Sequence, residues 1–255
     1  MLFEKVYIEG LDYHLPQDIV TSSEIEKRLG PIYERLKLPQ GRLELMSGIK
    51  ERRFWDKGIV PSAVATIAGE KAIARAGINK DNIGCLISAS VCRDFIEPST
   101  ASIIHRNLKI PSEAFVFDVS NACLGVLNGM MIIANMIDQK QILAGLVVAG
   151  ENGGPLLNNT IQTLLSKPDI TRSTIKSSFA SLTIGSAAVG IVLSHKKISR
   201  QGHRLMGGVS LAETQFNHLC RGNDDSGTSG NWSPLMETDS EALMQEGCRL
   251  AGKTW

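Results

Sequence analysis

The run ILAGLVVAG, residues 142–150, consists only of apolar side chains and glycine. A strand that is hydrophobic at every position is buried on both faces, so helices have to cover its sheet above and below. Such strands are typical of parallel sheets, in which the helices that connect the strands lie on both faces. The run therefore predicts a layered α/β fold.

Strand-like and helix-like segments alternate along the rest of the chain, which is the pattern of βαβ units. We expect Thr21 or Ser22 to cap the first helix, which has an acidic first turn, and Gly77 to end a longer helix. Arg52 and Arg53 are expected in a basic loop. Strands are predicted at residues 5–16, 83–91, 114–120 and 187–194, with another beginning in RLMGGVSLAE (204–213); helices at residues 21–29, 60–78, 101–108, 124–137 and 239–252; and a polar loop in CRGNDDSGTSGNWSP (220–234).

Composition excludes several classes of function. The 255 residues carry 27 Lys and Arg against 26 Asp and Glu, so the net charge is +1 and we expect no nucleic-acid partner. No apolar run approaches the length of about 18 to 20 residues that a membrane-spanning helix needs, so integral membrane association is not expected. The N-terminal residues also lack the long apolar core of a signal peptide.

The cysteines are odd in number and scattered, without a CxxC pair or a Cys/His cluster at metal-ligand spacing. This usage is typical of a reducing compartment. We therefore predict a cytoplasmic protein without zinc or another metal. The five cysteines are Cys85, Cys92, Cys123, Cys220 and Cys248.

Cys123 lies where a strand-like run that we expect to be buried, AFVFDVS, meets a helix-like one. A cysteine just before a helix is close to unpaired backbone N–H groups and to the positive end of the helix dipole, and both favour the thiolate. The same N–H groups can hold the oxyanion that forms when a thiolate attacks a thioester. Ala122 and Gly125 are small enough to let an acyl group approach. On spacing alone, a buried and inert cysteine is an equally good interpretation.

Several segments resemble, in their order along the chain, the thiolase-fold condensing enzymes related to β-ketoacyl-ACP synthase III: GIKERRFW, EPSTASIIHRNLKI, FDVSNACLGVLNG, VVAGEN and SFASLTIGSAAVGIVL. Within that superfamily, SNACLGVLNGMMIIANMI, RDFIEPST and AGENGGPLL are most similar to the head-to-head acyl-CoA condensing thiolases of olefin biosynthesis, the OleA type. The resemblance covers nearly the whole chain. It implies an α/β thiolase-like fold of αβαβα layers, a homodimer, and a coenzyme A thioester as substrate with no further cofactor.

The resemblance also implies catalytic roles. The cysteine that matches Cys123 is acylated by a first acyl-CoA, and a second acyl-CoA then attacks that thioester in a non-decarboxylating Claisen condensation. The α-proton of the second acyl-CoA goes to a glutamate matched by Glu97 in RDFIEPST, which reaches across the dimer interface. An apolar acyl tunnel around this carboxylate would raise its pKa towards the range useful for a general base. From the residues alone, a solvated loop acid beside Pro98 is the favoured interpretation of Glu97, and the resemblance reverses this preference.

Arg52 and Arg53 match a loop near the pantetheine entrance of the related enzymes. The resemblance therefore implies that they contact the phosphates of coenzyme A. A solvated basic turn is the alternative interpretation.

The related enzymes consist of two similar halves. Residues 1–200 match the N-terminal half with the nucleophile, and residues 201–255 match the start of the C-terminal half, so we expect the first to be complete and the second partial. The family takes a histidine and an asparagine from its second half, and neither has a match here. Three interpretations stand: a truncated or frameshifted gene product, a fragment, or one subunit of a split enzyme.

The resulting expectation is an acyltransferase that loads Cys123 from acyl-CoA and condenses the acyl group with a second acyl-CoA. One alternative is a decarboxylating β-ketoacyl-ACP synthase III of fatty-acid or polyketide synthesis, which would use acyl-ACP and malonyl-ACP. Glu97 favours the first enzyme, because loss of carbon dioxide creates the carbanion without such a base. The other alternative is a non-catalytic remnant or partner subunit that retains the nucleophile.

Overall fold

The computed structural model describes residues 1–222 and 235–254, so residues 223–234 of the predicted polar loop lie outside the described residues. The strands are β1 (Val6–His14), β2 (Asp18–Thr21), β3 (Glu51–Phe54), β4 (Ile83–Ser88), β5 (Phe115–Asp118), β6 (Ala144–Glu151), β7 (Ala187–His195), β8 (His203–Arg204), β9 (Cys220–Gly222) and β10 (Met236–Thr238). The α-helices are α1 (Ser22–Arg28), α2 (Gly30–Arg35), α3 (Arg42–Ser47), α4 (Pro61–Ala76), α5 (Thr100–Leu108), α6 (Gly125–Asp138), α7 (Gly154–Ser166), α8 (Arg172–Ser178) and α9 (Ser240–Thr254).

The first of two compact units comprises residues 1–16, 56–152 and 187–208. It holds a six-stranded sheet in the order β5, β4, β6, β7, β1, β8. β4 pairs in parallel with β5 and with β6, whereas the pairs β6 with β7, β7 with β1 and β1 with β8 are antiparallel. The C-terminal ends of β4, β5 and β6 therefore lie at the same end of the sheet.

β6 is the strand predicted from the fully apolar run, and it is buried over its first seven residues. Val147 belongs to a core cluster with residues of α6, while Leu146 and Val148 belong to a second cluster with residues of α4 and α5. Helices therefore cover both faces of the sheet in this unit. The prediction of a layered α/β fold is confirmed.

α4 lies against three strands, and each of these contacts is made at a glycine. A Cβ atom added to Gly10 of β1, Gly150 of β6 or Gly190 of β7 would come within 2.4, 2.4 and 2.6 Å, respectively, of a carbonyl oxygen of α4. Only glycine lets the backbone of a helix approach a sheet this closely. At its other end α4 stops at Gly77, whose φ of +64° lies in the left-handed region, as predicted.

The second compact unit comprises residues 17–55, 153–186 and the described residues from 209 onwards. β2 pairs with β3, and β9 pairs with β10, both antiparallel. The N-terminus of α1 has the predicted cap: the Thr21 N–H donates to Glu24 Oε2 at 2.7 Å, and the Glu24 N–H donates to Thr21 Oγ1 at 3.1 Å. The core of this unit consists of Ile25, Leu29, Ile32, Tyr33, Leu43, Phe54, Leu157, Ile161, Leu164, Ile170, Ile175 and Leu182.

Three predictions about local structure are wrong. Arg52 and Arg53 lie in β3 and not in a loop, because this segment pairs with β2. β5 is not a buried strand: it forms an edge of the sheet, and the side chain of Phe115 is 61% exposed. The strand predicted in RLMGGVSLAE is reduced to β8, whose two residues pair with β1.

Of the helices in the described residues, none has both the length and the apolar character that crossing a bilayer requires.

We expect Gly190→Ala to lower the free energy of unfolding by about 1 to 3 kcal/mol, because the added methyl group would push α4 away from β7. Urea denaturation followed by circular dichroism measures this change. Gly30→Ala is the matched control, since no atom lies within 4 Å of its added Cβ. Its free energy of unfolding should stay the same or rise by up to about 1 kcal/mol. Equal stability of Gly190→Ala and the parent would contradict the close approach.

Candidate active site

Two loops leave the sheet of the first unit at the C-terminal ends of β4 and β5. The loop after β4, residues 89–99, carries Glu97, and the segment after β5, residues 119–124, carries Cys123. Because β4 and β5 are parallel, the two candidate catalytic residues lie at the same end of the sheet. Ligands of open α/β sheets bind outside the carboxyl ends of the strands, which is the end where these residues lie.

Cys123 lies in a single 3₁₀ turn, Ala122–Leu124, directly before α6, and its side chain is exposed. Ala122 has a φ of +44°, and this left-handed conformation costs an L-residue about 1 to 2 kcal/mol. Asn121 Nδ2 donates to Asn128 Oδ1 at 2.5 Å, which ties the turn to α6. Backbone strain of this kind clusters at functional sites. The exposed thiol is not the buried, inert cysteine that spacing alone allowed.

The turn with Cys123 directly precedes the N-terminus of α6, and the N–H groups of Leu124 and Gly125 donate to the carbonyl oxygens of Asn121 and Ala122. The N-cap residue, Leu124, makes no side-chain cap hydrogen bond, and the first turn of α6 contains no acidic residue. The positive end of the helix dipole is therefore not neutralised by a carboxylate from the helix itself. This arrangement favours an anion beside Cys123, as the sequence predicts.

Gly125, the first residue of α6, has a packing role. A Cβ atom at this position would lie 2.8 Å from the carbonyl oxygen of Ala89, which follows β4. The glycine is therefore required for packing α6 onto the end of β4. This close packing places the turn with Cys123 directly at the strand ends.

Glu97 is exposed, and its neighbours Phe95 and Ile96 are 57% and 55% exposed. Within residues 1–222 and 235–254, the Glu97 carboxylate makes no hydrogen bond or ion pair. The apolar surroundings expected for it are likewise not formed by these residues. Its oxygens are accordingly available to accept a proton from a bound molecule.

Two carboxylates that the sequence analysis did not single out hold this region together. Asp118, the last residue of β5, accepts N–H bonds of 2.9 and 2.7 Å from the first two residues of α5. Glu151, the last residue of β6, accepts N–H bonds of 2.7 and 3.3 Å from two residues of the loop 89–99. Their signal in the sequence is a single acid at the end of an apolar strand, where loop N–H groups need acceptors.

Arg52 and Arg53 lie in the second unit. Arg52 is buried, and its two terminal nitrogens each donate to Ser22 Oγ at 3.1 Å. Burial lowers the pKa of Arg52, and its Nε has no hydrogen-bond partner in the part of the chain that the structure describes. Arg53 is half-buried. Because Arg52 is buried, the alternative interpretation of a solvated basic turn is wrong for this residue.

Two of the other cysteines are unsuited to nucleophilic attack. Burial raises the pKa of the Cys85 thiol to about 12. The pKa of Cys92 is also raised to about 12, mainly by burial and in addition by the charge of Glu151.

Among the described residues, no cluster of three or more His, Cys, Asp or Glu side chains is arranged to hold a metal ion.

Comparison with known proteins identifies relatives of the whole chain. The acyl-CoA:acyl-CoA alkyltransferases of Xanthomonas campestris and Shewanella oneidensis are 40% and 38% identical to it, and the match covers 100% of this chain and 72% and 73% of theirs. The chain belongs to the acyl-CoA:acyl-CoA alkyltransferase family. No protein-family model matches it.

Solved structures agree with this family assignment. OleA from Xanthomonas campestris with bound cerulenin superimposes with a TM-score of 0.91 at 39% identity, covering 100% of this chain and 71% of that one. The α/β, thiolase-like fold and the resemblance to OleA-type enzymes are thereby confirmed. The β-ketoacyl-ACP synthase III of Koribacter versatilis is more distant, at 29% identity over 60% of this chain.

At about pH 8, we expect iodoacetamide to modify Cys123, Cys220 and Cys248 and to leave Cys85 and Cys92 unmodified. Alkylation needs the thiolate, and burial keeps the latter two thiols protonated up to about pH 12. Peptide mass mapping after short incubations measures each site. In denaturant all five cysteines should react, and native Cys92 reacting as fast as Cys220 would contradict the prediction.

Proposed function

We propose that this member of the family condenses two acyl-CoA molecules, with Cys123 as the nucleophile that accepts the first acyl group and Glu97 as the base that deprotonates the second. One observation carries the assignment of residues. Cys123 is exposed directly before α6, and the Glu97 carboxylate has no hydrogen-bond partner in the described residues. Both residues lie at the same end of one sheet.

Variants of a relative support the same pair. Solved structures of Xanthomonas campestris OleA include proteins with one glutamate replaced by glutamine, aspartate or alanine, and proteins with one cysteine replaced by alanine or serine. The serine variant holds lauric acid and lauroyl-CoA. The glutamate and the cysteine are 26 positions apart in that protein, and so are Glu97 and Cys123 here.

The first half-reaction is acyl transfer. The Cys123 thiolate attacks the thioester carbonyl of acyl-CoA, and the negative charge moves to the carbonyl oxygen. N–H groups at the start of α6 stabilise this oxyanion, since the N-terminal end of the helix has no cap of its own. The carbon–sulfur bond to coenzyme A then breaks, coenzyme A leaves as the thiol after protonation, and the acyl group remains on Cys123.

The second half-reaction forms a carbon–carbon bond. The Glu97 carboxylate takes a proton from the α-carbon of a second acyl-CoA, and the resulting carbanion attacks the acyl-cysteine carbonyl. The bond between that carbonyl and the Cys123 sulfur breaks, which regenerates the thiolate and releases a β-ketoacyl-CoA. No carbon dioxide is lost in this sequence.

Further assignments rest on the family resemblance. We propose that residues 1–200 correspond to the N-terminal half of the thiolase-like fold, and residues 201–255 to the beginning of the C-terminal half. The same resemblance assigns contacts with the phosphates of coenzyme A to Arg52, which is buried and donates to Ser22, and to Arg53, which is half-buried in β3. The reaction is assigned to the cytoplasm on the cysteine usage of the sequence.

A histidine is also substituted in two structures of Xanthomonas campestris OleA. In that protein it lies farther from the cysteine along the chain than residue 255 lies from Cys123. Because this histidine has no match in residues 1–255, the acylation of Cys123 and the condensation with the second acyl-CoA have to be tested separately.

Incubation with lauroyl-CoA should increase the intact mass of the chain by one lauroyl group, and Cys123→Ala should abolish the gain. Glu97→Gln should acylate normally, because the base acts only in the second step, and should lower β-keto product by about a hundredfold or more. Intact-mass spectrometry measures the first step, and chromatography of the products measures the second.

Glu113→Gln is the matched control, since Glu113 is an exposed acid of the same unit outside the two site loops. It should retain both steps. Acylation that persists in Cys123→Ala, or a β-keto yield unchanged by Glu97→Gln, would refute the corresponding role. Product that requires malonyl-ACP and appears with carbon dioxide would instead indicate a decarboxylating synthase, and a folded chain that is never acylated would indicate a non-catalytic partner.

We further propose that the chain forms a homodimer through β5. In the described residues β5 pairs only with β4, so its other edge presents unpaired backbone groups. Exposed apolar side chains also occur on β5 and on the segments that follow β4 and β5, and a group of such side chains is typical of an interface. They are Val91, Phe95, Ile96, Phe115, Leu124 and Leu127.

A charge at this edge should separate the dimer. We expect Phe115→Asp to raise the dissociation constant by about tenfold or more, because the carboxylate would lose its hydration in the interface. Sedimentation velocity over a range of concentrations measures it. Leu45→Asp, at an 85% exposed position of α3, is the control and should behave as the parent. A dimer that survives Phe115→Asp would rule out this edge.

A further inference from the structure

The loop that carries Glu97 is attached to the rest of the first unit on both sides of its tip. Before the tip, the carboxylate of Glu151 accepts the two loop N–H bonds described above. After the tip, Asp118 holds the first two N–H groups of α5. Residues 95–98, between these attachments, are exposed.

A third attachment is made by Asp94, three positions before Glu97. Asp94 Oδ1 accepts the N–H of Ser62 at 2.9 Å, and Asp94 Oδ2 accepts the hydroxyl of the same serine. The Asp94 N–H in turn donates to Thr100 Oγ1 at 3.3 Å. Ser62 and Thr100 are 3% and 1% exposed, so Asp94 joins the loop to two buried side chains on either side of it.

Asp94 binds at a position that the helix itself leaves without a cap. The N-cap residue of α4, Val60, makes no side-chain cap hydrogen bond. A carboxylate at the first turn of a helix is stabilised both by the free N–H groups and by the helix dipole. α4 in turn lies directly on β1, β6 and β7 through its glycine contacts. The loop is therefore fixed to a helix that packs closely on the sheet.

We infer that Asp94, held by Ser62, is a positioning residue that fixes the tip of the loop so that the Glu97 carboxylate meets the α-carbon of the second acyl-CoA. This inference rests on the proposed role of Glu97. Asp94 itself is not the base, because both of its oxygens are occupied by Ser62. A displacement of the base by about 1 Å lowers the rate by up to about a hundredfold.

The test measures α-proton abstraction in the full chain. Wild type, Asp94→Asn, Glu97→Gln and the double variant are incubated with lauroyl-CoA in D₂O, and mass spectrometry follows deuterium at the α-carbon. We expect Asp94→Asn to lower the exchange rate by about 10- to 100-fold while Cys123 is still acylated at the parent rate. In the double variant, Asp94→Asn should cause no further loss beyond Glu97→Gln, since its effect acts through that residue.

Two further variants separate positioning from stability. Ser62→Thr keeps the hydroxyl and should retain most of the exchange, whereas Ser62→Ala should lower it. Asp12→Asn is the matched control, because this aspartate pairs with Arg75 in the same unit and should affect neither reaction.

Each outcome decides a different claim. Parent-like exchange in Asp94→Asn, together with loss in Glu97→Gln, would overturn the positioning role and leave the proposed function intact. Equal loss of acylation and exchange in Asp94→Asn, with a lower free energy of unfolding, would show a purely structural role and also overturn the inference. Exchange that is absent from wild type or unaffected by Glu97→Gln would refute the base, and the positioning role with it.

Discussion

Parallel pairing of β4 with β5 and β6 is the constraint on which the site depends. Parallel strands end on the same side of a sheet. The segments that follow β4 and β5 therefore emerge side by side, although they are distant in sequence. The pairing is stable only because helices cover both faces of the sheet. Burial of an apolar strand thus determines that Cys123 and Glu97 follow neighbouring strands at the same end of the sheet.

Carboxylates near the site have two distinct uses. Asp94, Asp118 and Glu151 accept N–H groups of loops and helix ends, where an unpaired donor would be costly. Glu97 accepts none from the described residues. Proton abstraction by any of the first three would require giving up structural hydrogen bonds, and Glu97 has no such bonds to lose.

The sequence was sufficient for features that depend on local chemistry. The apolar run predicted β6 and its two covered faces, and the pattern around Cys123 predicted that this cysteine directly precedes a helix. The sequence left Thr21 and Ser22 as alternative caps of α1, and the structure shows Thr21 in a capping box with Glu24, three positions away. The family resemblance added Glu97, whose exposed loop position carries no signal of its own.

Features that depend on distant partners were not predicted. Arg52 was expected in a loop, but it pairs with β2 and contacts Ser22. The sequence did not show these contacts because they join segments that are separate along the chain. β5 was expected to be buried because its apolar residues do not reveal that it has a neighbour on one side only. The contact of Asp94 with Ser62 spans 32 positions, so no local pattern shows it.

The attachments of the loop 89–99 divide it into parts under different evolutionary constraints. Its two ends are tied to β6, α4 and α5, so a substitution there disturbs the scaffold. The exposed side chains of Phe95 and Ile96 belong to none of the core clusters, so they can change without loss of packing inside the chain. The surface next to Glu97 can therefore vary while the fold that holds this residue stays the same.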